Sequence, residues 1–194
     1  MGRRERKIEK RKQLWMAVIL VSLMVASGFG VIIGSRTSQL RYGDYKFIIK
    51  DNRYVTKING NEMPFFFLPQ ETEYINLSNT VTNKLREAYF IMVTFDPEDE
   101  ANLQVIEVTR FDLSQYLGKV VVNGVLAETE EYEELPEITC ANATLKTPVI
   151  LFNKTDFPSI VEDENCIYLN ARGREFLRLR DRILYSYYGV IEEE

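Results

Sequence analysis

Apolar positions are spread unevenly along the chain. Leu14–Ile33, LWMAVILVSLMVASGFGVII, carries no charge and only two serines. As a helix rising ~1.5 Å per residue it would span roughly 30 Å, the thickness of a bilayer's hydrocarbon core. It lacks the polar stripe that a helix of this length shows when it packs in a soluble protein. The pattern predicts a transmembrane helix over 14–34. Val25-Ala26-Ser27-Gly28 would also suit a signal-peptide cleavage site. Signal h-regions, however, usually run about 7–15 apolar residues, which favours a retained anchor.

After a short polar connector, 35–40, the pattern becomes that of a folded domain over 41–194. Tyr45–Lys50, Tyr54–Ile58 and Met63–Leu68 are rich in β-branched and aromatic residues and are separated by Asp51-Asn52 and Asn59-Gly60. Asn-Gly between two such runs predicts a tight hairpin. Helical character runs from Asn79 to Ala88 after Ser78. Tyr89–Phe95 is a continuous apolar run suited to a buried strand, and a helix is predicted from Asp96-Pro97-Glu98-Asp99 to about Leu117. Lys119–Val125 reads as a strand and Glu128–Glu137 as an acidic, solvated loop. Two strands follow, Pro148–Phe152 and Cys166–Asn170. Arg174–Tyr188 is a last helix, with Phe176, Leu179, Ile183 and Tyr187 on one stripe and Gly189 as its stop. The expected fold class is α+β or α/β, a mixed sheet with flanking helices.

Charge gives the anchor a direction. Residues 1–13 hold Arg3, Arg4, Arg6, Lys7, Lys10, Arg11 and Lys12 against Glu5 and Glu9. The positive-inside rule keeps this tail in the cytoplasm and puts the domain outside the cell membrane, with the bilayer as first partner. Removing the tail's seven basic and two acidic residues from the totals of 24 and 29 leaves 17 and 27, a net of −10. A domain this acidic argues against nucleic-acid binding. Along the span, Ser22, Ala26, Gly30 and Gly34 recur every fourth residue. Small residues so spaced let membrane helices approach closely, which suggests a homodimer or a membrane-protein partner.

Two further features agree with an oxidising exterior. Cys140 and Cys166, the only cysteines, both fall in the domain. An even pair there predicts a disulfide, and closing a loop of about 25 residues would contribute ~3 kcal/mol. Asn76-Leu-Ser, Asn142-Ala-Thr and Asn153-Lys-Thr match the N-glycosylation acceptor pattern, which unmodified turn asparagines also match.

Catalytic vocabulary is sparse. The chain has no histidine, which removes Ser-His-Asp and Cys-His nucleophilic sites and histidine-ligated zinc. There is no glycine-rich phosphate loop, and no metal or cofactor is implied. Asp96, Glu98, Asp99 and Glu100 form the densest acidic group outside the loop. Acidic residues are favoured at a helix N-terminus by its dipole, so no catalytic residue is assigned. Arg172, Arg174, Arg178, Arg180 and Arg182 are expected to cover the exposed sides of the last helix, pairing with Asp181, Glu175 or the acidic loop. Phe65-Phe66-Phe67 and Tyr185, Tyr187 and Tyr188 are expected core.

The order from Asn79 onward, α-β-α-β, a loop, then β-β-α, with Thr147-Pro148 entering a strand, resembles the second part of a thioredoxin-like domain over about residues 79–190. Where that family carries its redox cysteines, this chain has Phe95-Asp96-Pro97-Glu98-Asp99. The resemblance therefore implies a redox-dead copy kept for binding. The segment Phe176-Leu-Arg-Leu-Arg-Asp-Arg182 also resembles the endings of uncharacterised archaeal membrane-anchored proteins, which implies no activity. The expected function is a non-enzymatic interaction or scaffold domain, an accessory subunit of an envelope complex. The alternative is a thioredoxin-like thiol or chaperone-type protein at the outer membrane face.

Overall fold

The chain divides into two units, Met1–Ser38 and Gln39–Glu194. The computed structural model describes residues 15–24 of the first and 40–192 of the second. Residues 15–24 are helical and every one of them is exposed, including Trp15, Met16, Ile19, Leu20, Leu23 and Met24. Among the described residues no helix is long and apolar enough to cross a membrane. The basic tail, the rest of the expected span with Ala26, Gly30 and Gly34, and connector residues 35–39 lie outside the described residues.

The second unit is a mixed α+β domain with two sheets. The first is an antiparallel meander of β1 (Leu40–Tyr42), β2 (Tyr45–Lys50), β3 (Arg53–Ile58) and β4 (Asn61–Phe65), in that order. Its two predicted turns sit where expected. Asp51 and Asn52 both take positive φ between Lys50 and Arg53, and Asn59-Gly60 do so between Ile58 and Asn61. Tight hairpins need this left-handed pair to match strand twist. β1 escaped sequence reading because three residues carry no periodicity. The last strand was expected to reach Leu68 but stops at Phe65, since the N–H groups of Phe66 and Phe67 leave the ladder for the Asp181 carboxylate.

The second sheet is built from β5 (Phe90–Phe95), β6 (Val120–Asn123), β7 (Val149–Lys154), β8 (Ser159–Asp163) and β9 (Cys166–Ala171), in the order β6-β5-β7-β9-β8. The first four are parallel and β8 runs antiparallel at the edge. Three strands follow Pro148 where two were expected. β8 went unread because its SIVED sequence joins a short apolar pair to acids at a solvated edge. Helix α1 (Asn79–Glu87) is capped by Ser78, whose Oγ accepts the Val81 N–H. Helix α2 (Glu100–Tyr116) links β5 to β6, and α3 (Glu175–Tyr187) closes the chain before Gly189 at φ +70°.

The two faces of the parallel sheet are covered differently. One packs on the helices, with Ile91, Val93, Phe95, Ile150, Phe152, Ile167 and Leu169 in a core that also takes in Phe47 and Phe65 of the meander. α3 lies between the sheets. Phe176 meets Phe152 edge-on at 5.4 Å, while Tyr185 stacks on Phe65 at 4.1 Å. The other face is covered by the crossing segment 124–148, which contributes Leu126, Ile138, Cys140 and Ala143 against Met92, Val122, Val149, Leu151 and Tyr168. Val149–Phe152, buried on both sides, is therefore apolar throughout rather than alternating. The segment lies very close to the end of β6. A Cβ on Gly124 would stand 2.6 Å from the Pro136 carbonyl oxygen and from the Ile138 side chain, so only glycine fits.

Candidate functional site

Cys140 and Cys166 are joined in a disulfide with Cα atoms 5.4 Å apart. It ties the crossing segment to the first residue of β9, and Cys166 is buried. Both cysteines of the chain are accounted for and no free thiol remains.

In open sheets with parallel strands, ligands commonly bind beyond the carboxyl ends of the strands. Here that end carries a polar cluster drawn from three loops. Asp99, just before α2, receives Lys154 of β7 at 2.8 Å on Oδ1 and the Asn102 amide at 2.6 Å on Oδ2. Asn102, buried in the first turn of α2, accepts the Gly173 N–H at 2.6 Å. Beside it, Asn153 donates to Asn170 at 2.7 Å, Asn170 donates to Ser159 at 3.1 Å, and Arg172 pairs with Asp156. Of the acidic group noted in the sequence, Asp96 caps its own turn through the Glu98 N–H and Asp99 is held in this cluster. The cluster fastens α2 and α3 to the strand ends. Among the described residues no group of three or more acidic or cysteine side chains could hold a metal ion.

The most deeply buried polar groups were not expected from the sequence. Arg180 and Arg182, expected on the exposed sides of the last helix, are buried, as is Asp181, their expected partner. The meander and the segment after it pack against that side of α3 and leave it no solvent. Asp181 accepts the N–H groups of Phe66 and Phe67 at 2.7 and 2.8 Å and pairs with Arg180. Arg180 donates to the Pro64 carbonyl and stands 3.3 Å from Asp112, which Arg53 also meets at 3.3 Å. Arg182 donates to the Ile75 carbonyl. Burial pushes the Asp181 carboxyl up to about 6, against the opposing pull of Arg180 and the two N–H groups. The other arginines stay nearer the surface, where Arg178 lies over the Phe67 ring and pairs with Glu175. Phe65, Phe67 and Tyr185 are core, as expected, while Phe66, Tyr187 and Tyr188 are half-buried.

An open cleft of about 760 Å³ is lined by Tyr42, Glu73, Asn76, Asn79, Arg182 and Glu192 among others. The three asparagines of the N-x-Ser/Thr pattern differ in setting. Asn76 and Asn142 are exposed, whereas Asn153 is half-buried and hydrogen-bonded between strands. Ser22, of the small-residue stripe, is exposed on the helical segment. Comparison with family models, with curated proteins and with solved structures finds no match.

Proposed function

We propose that the protein is a membrane-anchored, extracytoplasmic interaction or scaffold domain, a non-enzymatic accessory subunit of an envelope complex. The observation that carries this reading is the helical segment 15–24, whose eight large apolar side chains are all exposed. In water such exposure is unfavourable by about 25 cal/mol per Å² of apolar surface, and lipid removes that cost. The segment lies within the uncharged stretch Leu14–Ile33 and follows a tail with seven basic residues, which the positive-inside rule retains in the cytoplasm. The Cys140–Cys166 disulfide suits an oxidising exterior. In the proposed anchor, Ser22, Ala26, Gly30 and Gly34 would seat a second copy or another membrane helix.

A thioredoxin-like thiol protein is the second reading. Against it, both sulfurs are bonded to each other and one is buried beneath the crossing segment, which supports a structural bridge. Alkaline extraction of membranes and protease treatment of intact cells test the leading proposal. The protein should stay in the membrane pellet and lose its C-terminal domain to external protease. Release from the pellet, or a protected domain, would refute it.

A further inference from the structure

We infer that Asn142 carries an N-linked glycan and that Asn153, with the same sequence pattern, does not. This rests on the extracytoplasmic placement proposed above. The pattern Asn-x-Ser/Thr marks an asparagine whose side-chain nitrogen attacks the anomeric carbon of a lipid-diphosphate-linked oligosaccharide. The carbon–oxygen bond to the phosphate breaks and its electron pair leaves with the lipid diphosphate. Nδ2 gives up one proton to a base of the glycosyltransferase or to solvent and keeps the other. The product amide retains Oδ1 as an acceptor.

Asn142 suits that chemistry. It ends a 3-10 turn, Cys140–Asn142, on the crossing segment and is exposed, while Cys140 at the start of the same turn is bonded to Cys166. Its Oδ1 accepts the Thr139 N–H at 2.8 Å, and among the described residues no hydrogen bond from its Nδ2 is seen. A sugar on Nδ2 leaves that cap intact. Thr144, the third residue of the pattern, is exposed and bridges Thr147, whose N–H its hydroxyl accepts at 3.1 Å.

Asn153 fails on the same criteria. It lies near the end of β7, opposite Asn170 of β9. Its Nδ2 is the atom that donates to Asn170 at 2.7 Å, and the chain continues from Asn170 to Ser159 on β8. A glycan there would replace a hydrogen on a nitrogen held between two strands. Asn76 is exposed, but its pattern runs through Leu77, which is buried, and Ser78, whose hydroxyl caps α1.

The test is peptide mapping by mass spectrometry on full-length protein extracted from the membranes of the cells that make it, with protease treatment of intact cells in parallel. The Asn142 peptide should carry sugar mass and the Asn153 peptide none. Asn142→Asp, which keeps the cap acceptor, should lose one glycan's mass, whereas Asn153→Asp should lose none. A bare Asn142 or a glycosylated Asn153 on a protease-accessible domain overturns this inference alone. A bare Asn142 on a protected domain overturns the membrane reading and this inference with it.

Discussion

Asp181 Oδ2 accepts the backbone N–H of Phe67 at 2.8 Å, across 114 residues of sequence, and so fastens the last helix to the end of the meander. The same oxygen takes the Phe66 N–H, and Oδ1 faces Arg180. Removing this carboxylate would leave two N–H groups without their acceptor and a buried guanidinium with only Asp112 and the Pro64 carbonyl. Asp181→Ala is therefore expected to destabilise the domain by about 3–5 kcal/mol, the range for breaking a buried ion pair. Urea denaturation followed by tryptophan-independent far-UV circular dichroism would measure it, and a loss below 1 kcal/mol would show that the pairing is dispensable.

The same residue makes stability depend on pH. Its carboxyl titrates at about 6 in the folded protein, against an ordinary value of 3.8. Between those values the folded state holds more protons than the unfolded one, so stability contributed by this group is full below pH 3.8 and is lost as pH rises to about 6. A shift of this size corresponds to about 3 kcal/mol at most. Comparing denaturation midpoints of the native protein and Asp181→Asn from pH 4 to 7 isolates the effect. The native protein should lose stability relative to the variant as pH rises, and parallel curves would count against it.

Breaking the disulfide should loosen one layer of the domain rather than all of it. Cys140→Ser with Cys166→Ser is expected to lower stability by ~3 kcal/mol in the chain-entropy model. Amide hydrogen exchange should speed up across 125–143 while α3 stays protected, because the crossing segment packs in its own small cluster. Uniform acceleration across α3 would show instead that the bridge supports the whole core.

Gly124 is a second point of close approach. Gly124→Ala would press a methyl group against the backbone of Pro136 and against Ile138. Overpacking of this kind costs roughly 1–3 kcal/mol. Thermal unfolding should show the loss, whereas Gly118→Ala, with open space around its Cβ, would report only the strain of its positive φ.

The anchor can be tested at one position. Leu20, exposed on the helical segment, lies inside the uncharged stretch. An arginine near a membrane helix centre costs about 2.5–3.5 kcal/mol on insertion scales. Leu20→Arg should therefore shift the protein from the alkaline-resistant pellet towards the supernatant, and full retention would weigh against a spanning helix.

Much of this architecture was legible in the residues because its causes are local. Asn59-Gly60 and Asp51-Asn52 take left-handed turns on their own chemistry, Ser78 caps the helix that follows it, and Gly189 ends α3. The alternation and continuity of apolar positions located seven of the nine strands among the described residues, but missed β1, which is too short to carry a period, and β8, whose short apolar pair runs into acids at a solvated edge. The paired cysteines, too, were a matter of composition and compartment.

What the sequence could not disclose was set by contacts distant along the chain. The stripe Phe176, Leu179, Ile183 pointed to one buried face of α3, yet the meander packs on the opposite side and buries Arg180, Asp181 and Arg182 as well. An arginine is read as exposed until a second layer covers it, because its own neighbours in sequence do not record what removes the water. The same holds for Asn153: its pattern is identical in kind to that of Asn142, and only the strand beside it turns its amide inward. Local propensity determined which elements form, and the pairing of surfaces far apart in the chain decided which polar groups lost their solvent.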